Sequence, residues 1–123
     1  MVTQVELSVS QQSVGAYPVL AVRGEVDVYS APALKNGLTE LLGANGASVI
    51  VDLTDVGFLD STGLGVLVAA RSTAAEGGGR LPIVCDRERI LKLFRITGLD
   101  VVFEIYPSRD DAVSGLAHEA PSA

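Results

Sequence analysis

Val5, Leu7 and Val9 alternate with Glu6 and Ser8, the two-residue period of a strand with one buried face. A polar stretch, Ser10-Gln11-Gln12-Ser13, connects it to the apolar run Tyr17-Pro18-Val19-Leu20-Ala21-Val22. So short a connection predicts a hairpin-like antiparallel pair. Ser30-Ala31-Pro32 is a helix-start signal, with serine as N-cap and proline in the first turn. Leu34, Leu38, Leu41 and Leu42 follow at helical spacing on one face, and Gly43 and Gly46 end the pattern. Ser48-Val49-Ile50-Val51-Asp52-Leu53 is too short for a helix and rich in β-branched residues. It predicts a central strand covered on both faces.

The second half repeats the alternation. A loop from Thr54 to Leu59 is expected to lead into Asp60-Ser61-Thr62-Gly63 and a helix from Thr62 to Ala75, stopped by Gly77-Gly78-Gly79. Leu81 to Cys85 predicts a fourth strand, with Pro82 near its start where a missing N–H is tolerated. Glu88 to Thr97 places Ile90, Leu93, Phe94 and Ile96 on one helical side and Arg87, Arg89, Lys92 and Arg95 mainly on the other, with Gly98 closing the helix. Val101, Phe103 and Ile105 alternate as a fifth strand. Ser108 and Asp111 make a capping-box-like start for a last helix toward His118. The predicted order is β-β-α-β-α-β-α-β-α. That is an α/β fold with a mixed, mostly parallel five-stranded sheet and about four helices. One domain over 1–118 is expected, with 119–123 a flexible tail.

Composition narrows the function classes. The chain has 123 residues, 48% of them hydrophobic, enough for one core and too few for two domains. Its net charge of −6 repels nucleic acid and anionic lipid and favours a partner with a basic face. The first residues lack a basic-then-apolar leader pattern, and no apolar run approaches the ~20 residues that cross a bilayer. Cys85, the single cysteine, has no internal disulfide partner and reads as a core residue. A cytoplasmic protein is expected.

Candidate chemistry concentrates in Val51 to Val68. A buried strand delivers a hydroxyl residue to a helix start: Asp60 is placed to cap the helix and Ser61 falls in its first turn. A phosphate on Ser61 would meet the positive end of the helix dipole and unpaired N–H groups. The same three residues, Asp60, Ser61 and Thr62, also read simply as capping residues. The helix that follows is apolar nearly all round, with Gly63 and Gly65 giving close backbone access, so it is either buried or presents an apolar strip from Leu64 onward.

Other chemistries find no support. A receiver domain would use Asp52 as its phosphorylated aspartate but lacks the acidic pair and the lysine. A serine hydrolase needs a base, and the only histidine is His118 near the tail. Gly77-Gly78-Gly79-Arg80 lacks a P-loop ending, and no spaced His/Cys set suits a metal. The Arg87–Arg95 face reads as a solvated helix surface.

Phe58-Leu59-Asp60-Ser61-Thr62-Gly63-Leu64-Gly65 resembles the phosphorylation motif of anti-sigma factor antagonists, bacterial members of the STAS domain family. Gly24-Glu25-Val26-Asp27 resembles the family's second signature, and the element order matches from Val5 to Leu116. The general-stress type is the most similar. The resemblance implies a non-enzymatic, cofactor-free and metal-free module, a monomer when free. It would bind an anti-sigma factor that is also a serine kinase, releasing a sigma factor. Phosphorylation of Ser61 would end binding, and a phosphoserine phosphatase would restore it. The implied partner-binding set is Asp27, Asp60, Ser61, Thr62, Gly63, Leu64 and Gly65. Val28-Tyr29 falls where relatives vary and gives no indication of the partner. A sensory or scaffold module binding a small ligand or nucleotide is the alternative.

Overall fold

The structure, a computed structural model, describes residues 6–45 and 48–118. Five strands and four helices follow in chain order: β1 (Ser8–Val14), β2 (Tyr17–Val26), α1 (Ala31–Asn45), β3 (Ile50–Leu59), α2 (Ser61–Glu76), β4 (Ile83–Val84), α3 (Glu88–Ile96), β5 (Ile105–Tyr106) and α4 (Arg109–Ala117). The sheet runs β1-β2-β3-β4-β5, antiparallel between β1 and β2 and parallel thereafter. The expected α/β fold with a mixed, mostly parallel sheet is the observed one.

Each parallel crossover steps to the adjacent strand in the same direction. Residues of α1, α2 and α3 accordingly share one large core with Leu20, Val22, Val51, Leu53 and Ile83. Among the described residues the other face carries α4, whose Ala112 packs with Val19, Ile50 and Val84. Alternation along β3 sends Ile50 to one core and Val51 to the other, so this strand is covered on both faces as its composition predicts.

Three expectations need correction. The polar stretch Ser10–Ser13 is not a connection but the body of β1, paired in register from Ser8↔Arg23 to Val14↔Tyr17. As an edge strand it tolerates outward polar residues, and the true turn is Gly15-Ala16. Gly15 has φ +59 and Ala16 a negative φ, the two-residue turn pattern with glycine first. The predicted leading residue Val5 lies outside the described residues. The segment Thr54–Leu59 is not a loop either; β3 runs through it to Leu59, with register shifts against β2 that absorb its mixed polarity. Finally, Val101 and Phe103 are not in a strand. Leu99–Val101 forms a short 3-10 turn after Gly98 (φ +75), and Phe103 is buried edge-on against Phe94 at 5.7 Å between ring centres. Local alternation there was a coincidence of packing.

Smaller differences lie at helix ends. Gly43 sits inside α1, which continues to Asn45, while Gly46 lies outside the described residues. Ile96 is exposed at the end of α3 instead of packed. Ser108 caps α4 as expected, accepting from the Asp111 N–H at 3.1 Å. The predicted tail lies outside the described residues.

Candidate functional site at the carboxyl ends of β2 and β3

In an open parallel sheet the loops at the carboxyl ends of the strands converge, and this is where binding sites are built. Here β2 and β3 end side by side. Val26 pairs with Leu59, and the Asp60 N–H donates to the Val26 carbonyl at 3.2 Å. The chain then turns directly into α2. Asp60 is extended (φ −107, ψ −175), and its Oδ1 accepts from the N–H groups of Thr62 at 3.0 Å and Gly63 at 3.1 Å. Its carbonyl accepts from the Leu64 N–H at 3.1 Å. Ser61, the first helical residue, is exposed.

The expectation that a phosphate on Ser61 would find free first-turn donors is therefore only partly met. Asp60 already holds the N–H groups of Thr62 and Gly63, which leaves the dipole but fewer donors. Gly63 is buried, and a Cβ there would lie 2.5 Å from Leu59 Cδ1 and 2.6 Å from Val26 Cγ1. Glycine lets the first turn of α2 rest directly on the ends of β2 and β3. Leu64 is also buried. The expected exposed strip begins elsewhere, at Ser61, Gly65, Val68, Ala69 and Ser72, because Leu64 and Leu67 turn into the core.

Asp27 opens the loop between β2 and α1. Its Oδ1 accepts from the N–H groups of Tyr29 and Ser30, each at 2.9 Å. The Ser30 N–H bond, with help from the Ser30 hydroxyl and the Tyr29 N–H, holds this carboxyl below its ordinary value. Ser30 stands at the start of α1 as predicted, its carbonyl accepting from the Ala33 N–H at 3.0 Å, but its side chain turns the other way: its Oγ accepts from the Asp27 N–H and donates to the Glu25 carbonyl, each at 2.9 Å. The loop is thus closed on itself. Upstream, Gly24 has φ +106, and a side chain there would collide with the carbonyl oxygen of Glu6, just ahead of β1.

Apolar side chains are exposed around this edge. Tyr29 is 90% exposed, Val28 59% and Phe58 44%. Sequence reasoning set Val28 and Tyr29 aside as uninformative about the partner and gave Phe58 no role beyond its place in the motif; the available signal was an aromatic residue in an otherwise polar strand-to-helix loop. A cleft of about 390 Å³ beside the loop is lined by Glu6, Leu7, Glu25, Asp27, Tyr29, Ser30 and Ala33. A second, mostly apolar groove of about 590 Å³ separates α1 from α2, with Leu38, Leu42, Thr62, Gly65, Val66 and Ala69 on its walls and Lys35 as its charged residue.

The remaining candidates resolve into structural roles. Asp52 lies within β3, not at its end. Its Oδ2 accepts from Arg109 Nε at 2.7 Å, and its Oδ1 from the Thr54 hydroxyl at 2.6 Å. Cys85 is buried, and burial pushes its thiol up. His118 ends α4, on the opposite face of the sheet from α2, where its Nδ1 meets the Ser114 carbonyl at 2.7 Å. Ser61 has no base there. On α3, Arg95 pairs with Glu88 and Arg87 Nε donates to the Thr54 carbonyl at 2.8 Å, while Arg89 and Lys92 are exposed. Among the described residues no cluster of three His, Cys, Asp or Glu side chains suits a metal ion. Nor is any described helix long and apolar enough to cross a membrane.

A mixed sheet thus carries an exposed serine at the start of a capped helix, beside a self-closed acidic loop, and the chain belongs to the STAS domain family, which it matches over residues 8–112. Within that family it groups with the anti-sigma factor antagonists, non-enzymatic regulators, and specifically with the general-stress type. The anti-sigma-B factor antagonist of Bacillus subtilis is 40% identical over 92 residues, covering 75% of this chain and 84% of that protein. Its counterpart in Listeria monocytogenes is 39% identical over 84 residues, covering 68% and 74%. The crystal structure of an anti-sigma factor antagonist from Mycobacterium paratuberculosis superposes with a TM-score of 0.84 at 27% identity, over 92% of this chain and 96% of that one.

Proposed function

We propose that this protein is a cytoplasmic, phosphorylation-switched antagonist of an anti-sigma factor that is also a serine kinase. Unphosphorylated, it binds that factor and releases the sigma factor; phosphate on Ser61 ends binding, and a phosphoserine phosphatase restores it. The observation that carries this reading is the placement of Ser61. It is exposed at the first position of α2, on a sheet edge shared with Asp27 and with exposed Tyr29, Val28 and Phe58. A hydroxyl in that place is open to a kinase, and a phosphate there adds about −1.5 to −2 charges to the surface that docks. Asp27, Asp60, Ser61, Thr62 and Gly65 form the docking edge, and buried Gly63 and Leu64 support it from beneath. Incubation with the cognate kinase and ATP should place one phosphate on Ser61; mass spectrometry locating it chiefly on Thr62 would overturn the assignment.

The groove between α1 and α2 favours a second reading, a module that binds a small ligand. Its apolar walls and one lysine suit an apolar ligand with an anionic end better than a nucleotide triphosphate. Titration calorimetry with such ligands and with GTP and ATP decides it, since a groove that takes neither supports the partner-switching reading alone.

A further inference from the structure

Tyr29 is the most exposed large apolar side chain among the described residues, yet its backbone N–H is held within the loop. Its N–H is fixed to Asp27 Oδ1, the next N–H goes to the same oxygen, and the Ser30 hydroxyl ties the loop back to the Glu25 carbonyl. An aromatic ring kept in water on a rigid turn is costly for a free monomer and well suited to a binding anchor. Tyrosine has few rotatable bonds, so little entropy is lost when it docks, and pre-fixing its backbone lowers that loss further.

The surroundings say what it docks against. Val28 stands beside it, and Phe58 is on the adjoining strand, where it pairs in register with Glu25. The neighbouring cleft carries Glu6, Glu25 and Asp27 on its walls and no Lys or Arg among the described residues. An apolar knob flanked by carboxylates complements an apolar pocket rimmed with basic side chains.

We infer that Tyr29, with Val28, is the principal apolar anchor for the anti-sigma factor, and that Asp27 acts as a positioning residue that presents it. This rests on the partner assigned under the proposed function. The partner's matching face is an apolar pocket with a basic rim. Asp27 then contributes through the two local bonds its Oδ1 accepts, from the Tyr29 N–H and the Ser30 N–H, more than through its charge. Ile96, at the end of α3, and Val101, in the 3-10 turn after it, are also exposed apolar residues, and Val101 serves as the control.

The test is calorimetric titration of the intact protein with the purified anti-sigma factor, each variant first checked for an unchanged melting curve. Tyr29→Ala should weaken binding at least about tenfold, whereas Tyr29→Phe and Val101→Ala stay within about threefold of the parent. Asparagine still offers a side-chain oxygen to the two N–H groups, so Asp27→Asn should stay within about threefold while Asp27→Ala loses about tenfold. Undiminished binding by Tyr29→Ala overturns the anchor. Equal weakening by Asp27→Asn and Asp27→Ala overturns the positioning role and makes the carboxylate a direct contact. No binding by the parent protein would sink the partner assignment itself, and this inference with it, an outcome distinct from either variant result.

Discussion

The N–H of Asp60 donates to the carbonyl of Val26 at 3.2 Å, and this one bond ties the helix carrying Ser61 to the strand that leads to Asp27. The two halves of the candidate site are therefore one rigid edge. The packing beneath reinforces it, because the Gly63 Cα sits where any side chain would strike Val26 and Leu59.

Gly63→Ala tests that packing. The added methyl must displace Leu59 or Val26 side chains, and overpacking of this kind costs about 1–3 kcal/mol. Chemical denaturation should show the loss, with phosphorylation slowed because the first turn of α2 shifts. Gly65→Ala is the contrast. Gly65 is exposed, and a Cβ there meets nothing within 4 Å, so the helix should gain up to about 1 kcal/mol.

The switch itself is tested by mimicry. Ser61→Ala removes one exposed hydroxyl and should bind the anti-sigma factor persistently in the presence of kinase and ATP. Ser61→Glu places a charge at the docking edge, beside Asp60, and should bind at least about tenfold more weakly. Equal affinity of the two variants in a pull-down or titration would contradict a charge-based switch.

Acid sensitivity should map to the opposite face of the sheet. Burial alone would raise the Asp52 carboxyl, but bonds from the Thr54 hydroxyl and N–H and from Arg109 outweigh it and hold the group below its ordinary 3.8. A carboxyl depressed in the folded state adds stability above the unfolded value, and that stability is lost as pH falls through the folded value. Glu104, held down chiefly by Arg80, behaves alike. Asp52→Asn should cost about 1–3 kcal/mol at neutral pH. The gap to the parent should close below pH 3.8 in melting curves taken down to about pH 2. A gap that persists undiminished at the acid end would show that the ion pair is not its source.

How far the chain could be read from its pattern depended on what each segment buried. The helices α1, α2 and α3 and the heart of β3 have one-sided or two-sided apolar periods that no other element satisfies, and they appear where expected. Ser10–Ser13 and Thr54–Leu59 did not look like strands because their pairing partners, not their own composition, make them so: β1 is an edge, and the end of β3 is bulged against β2. Val101 and Phe103 misled in the other direction, since Phe103 is buried by Phe94 and not by a sheet. At the candidate site, the positions of Asp60 and Ser61 followed from capping rules. The capture of the first-turn donors by Asp60 follows from the same capping rule, whereas the inward turn of Leu64 and the exposure of Tyr29 depend on three-dimensional packing and were not legible.

Phosphorylation of Ser61 should change what the edge binds and leave the fold intact. A phosphate at the first position of α2 gains from the helix dipole about 0.3–1 kcal/mol. Asp60 opposes it, both by like charge and because its Oδ1 already occupies the N–H groups of Thr62 and Gly63 that the phosphate would otherwise recruit. With Ser61 exposed, solvent screens what remains, so the net effect on stability is small. The melting temperature should move by no more than about 4 °C, the shift expected for under ~1 kcal/mol in a domain of this size. Docking responds differently. The exposed strip of Gly65, Val68 and Ala69 begins one turn from Ser61, and a partner covering it must strip water from a doubly charged group or leave a gap. Affinity should therefore fall at least about tenfold on phosphorylation. Amide NMR shifts should change mainly from Asp60 to Gly65 and, through the Asp60–Val26 bond, at the Asp27 loop. Changes spread across β4 and β5, or a large drop in melting temperature, would mean that the switch works by rearranging the domain.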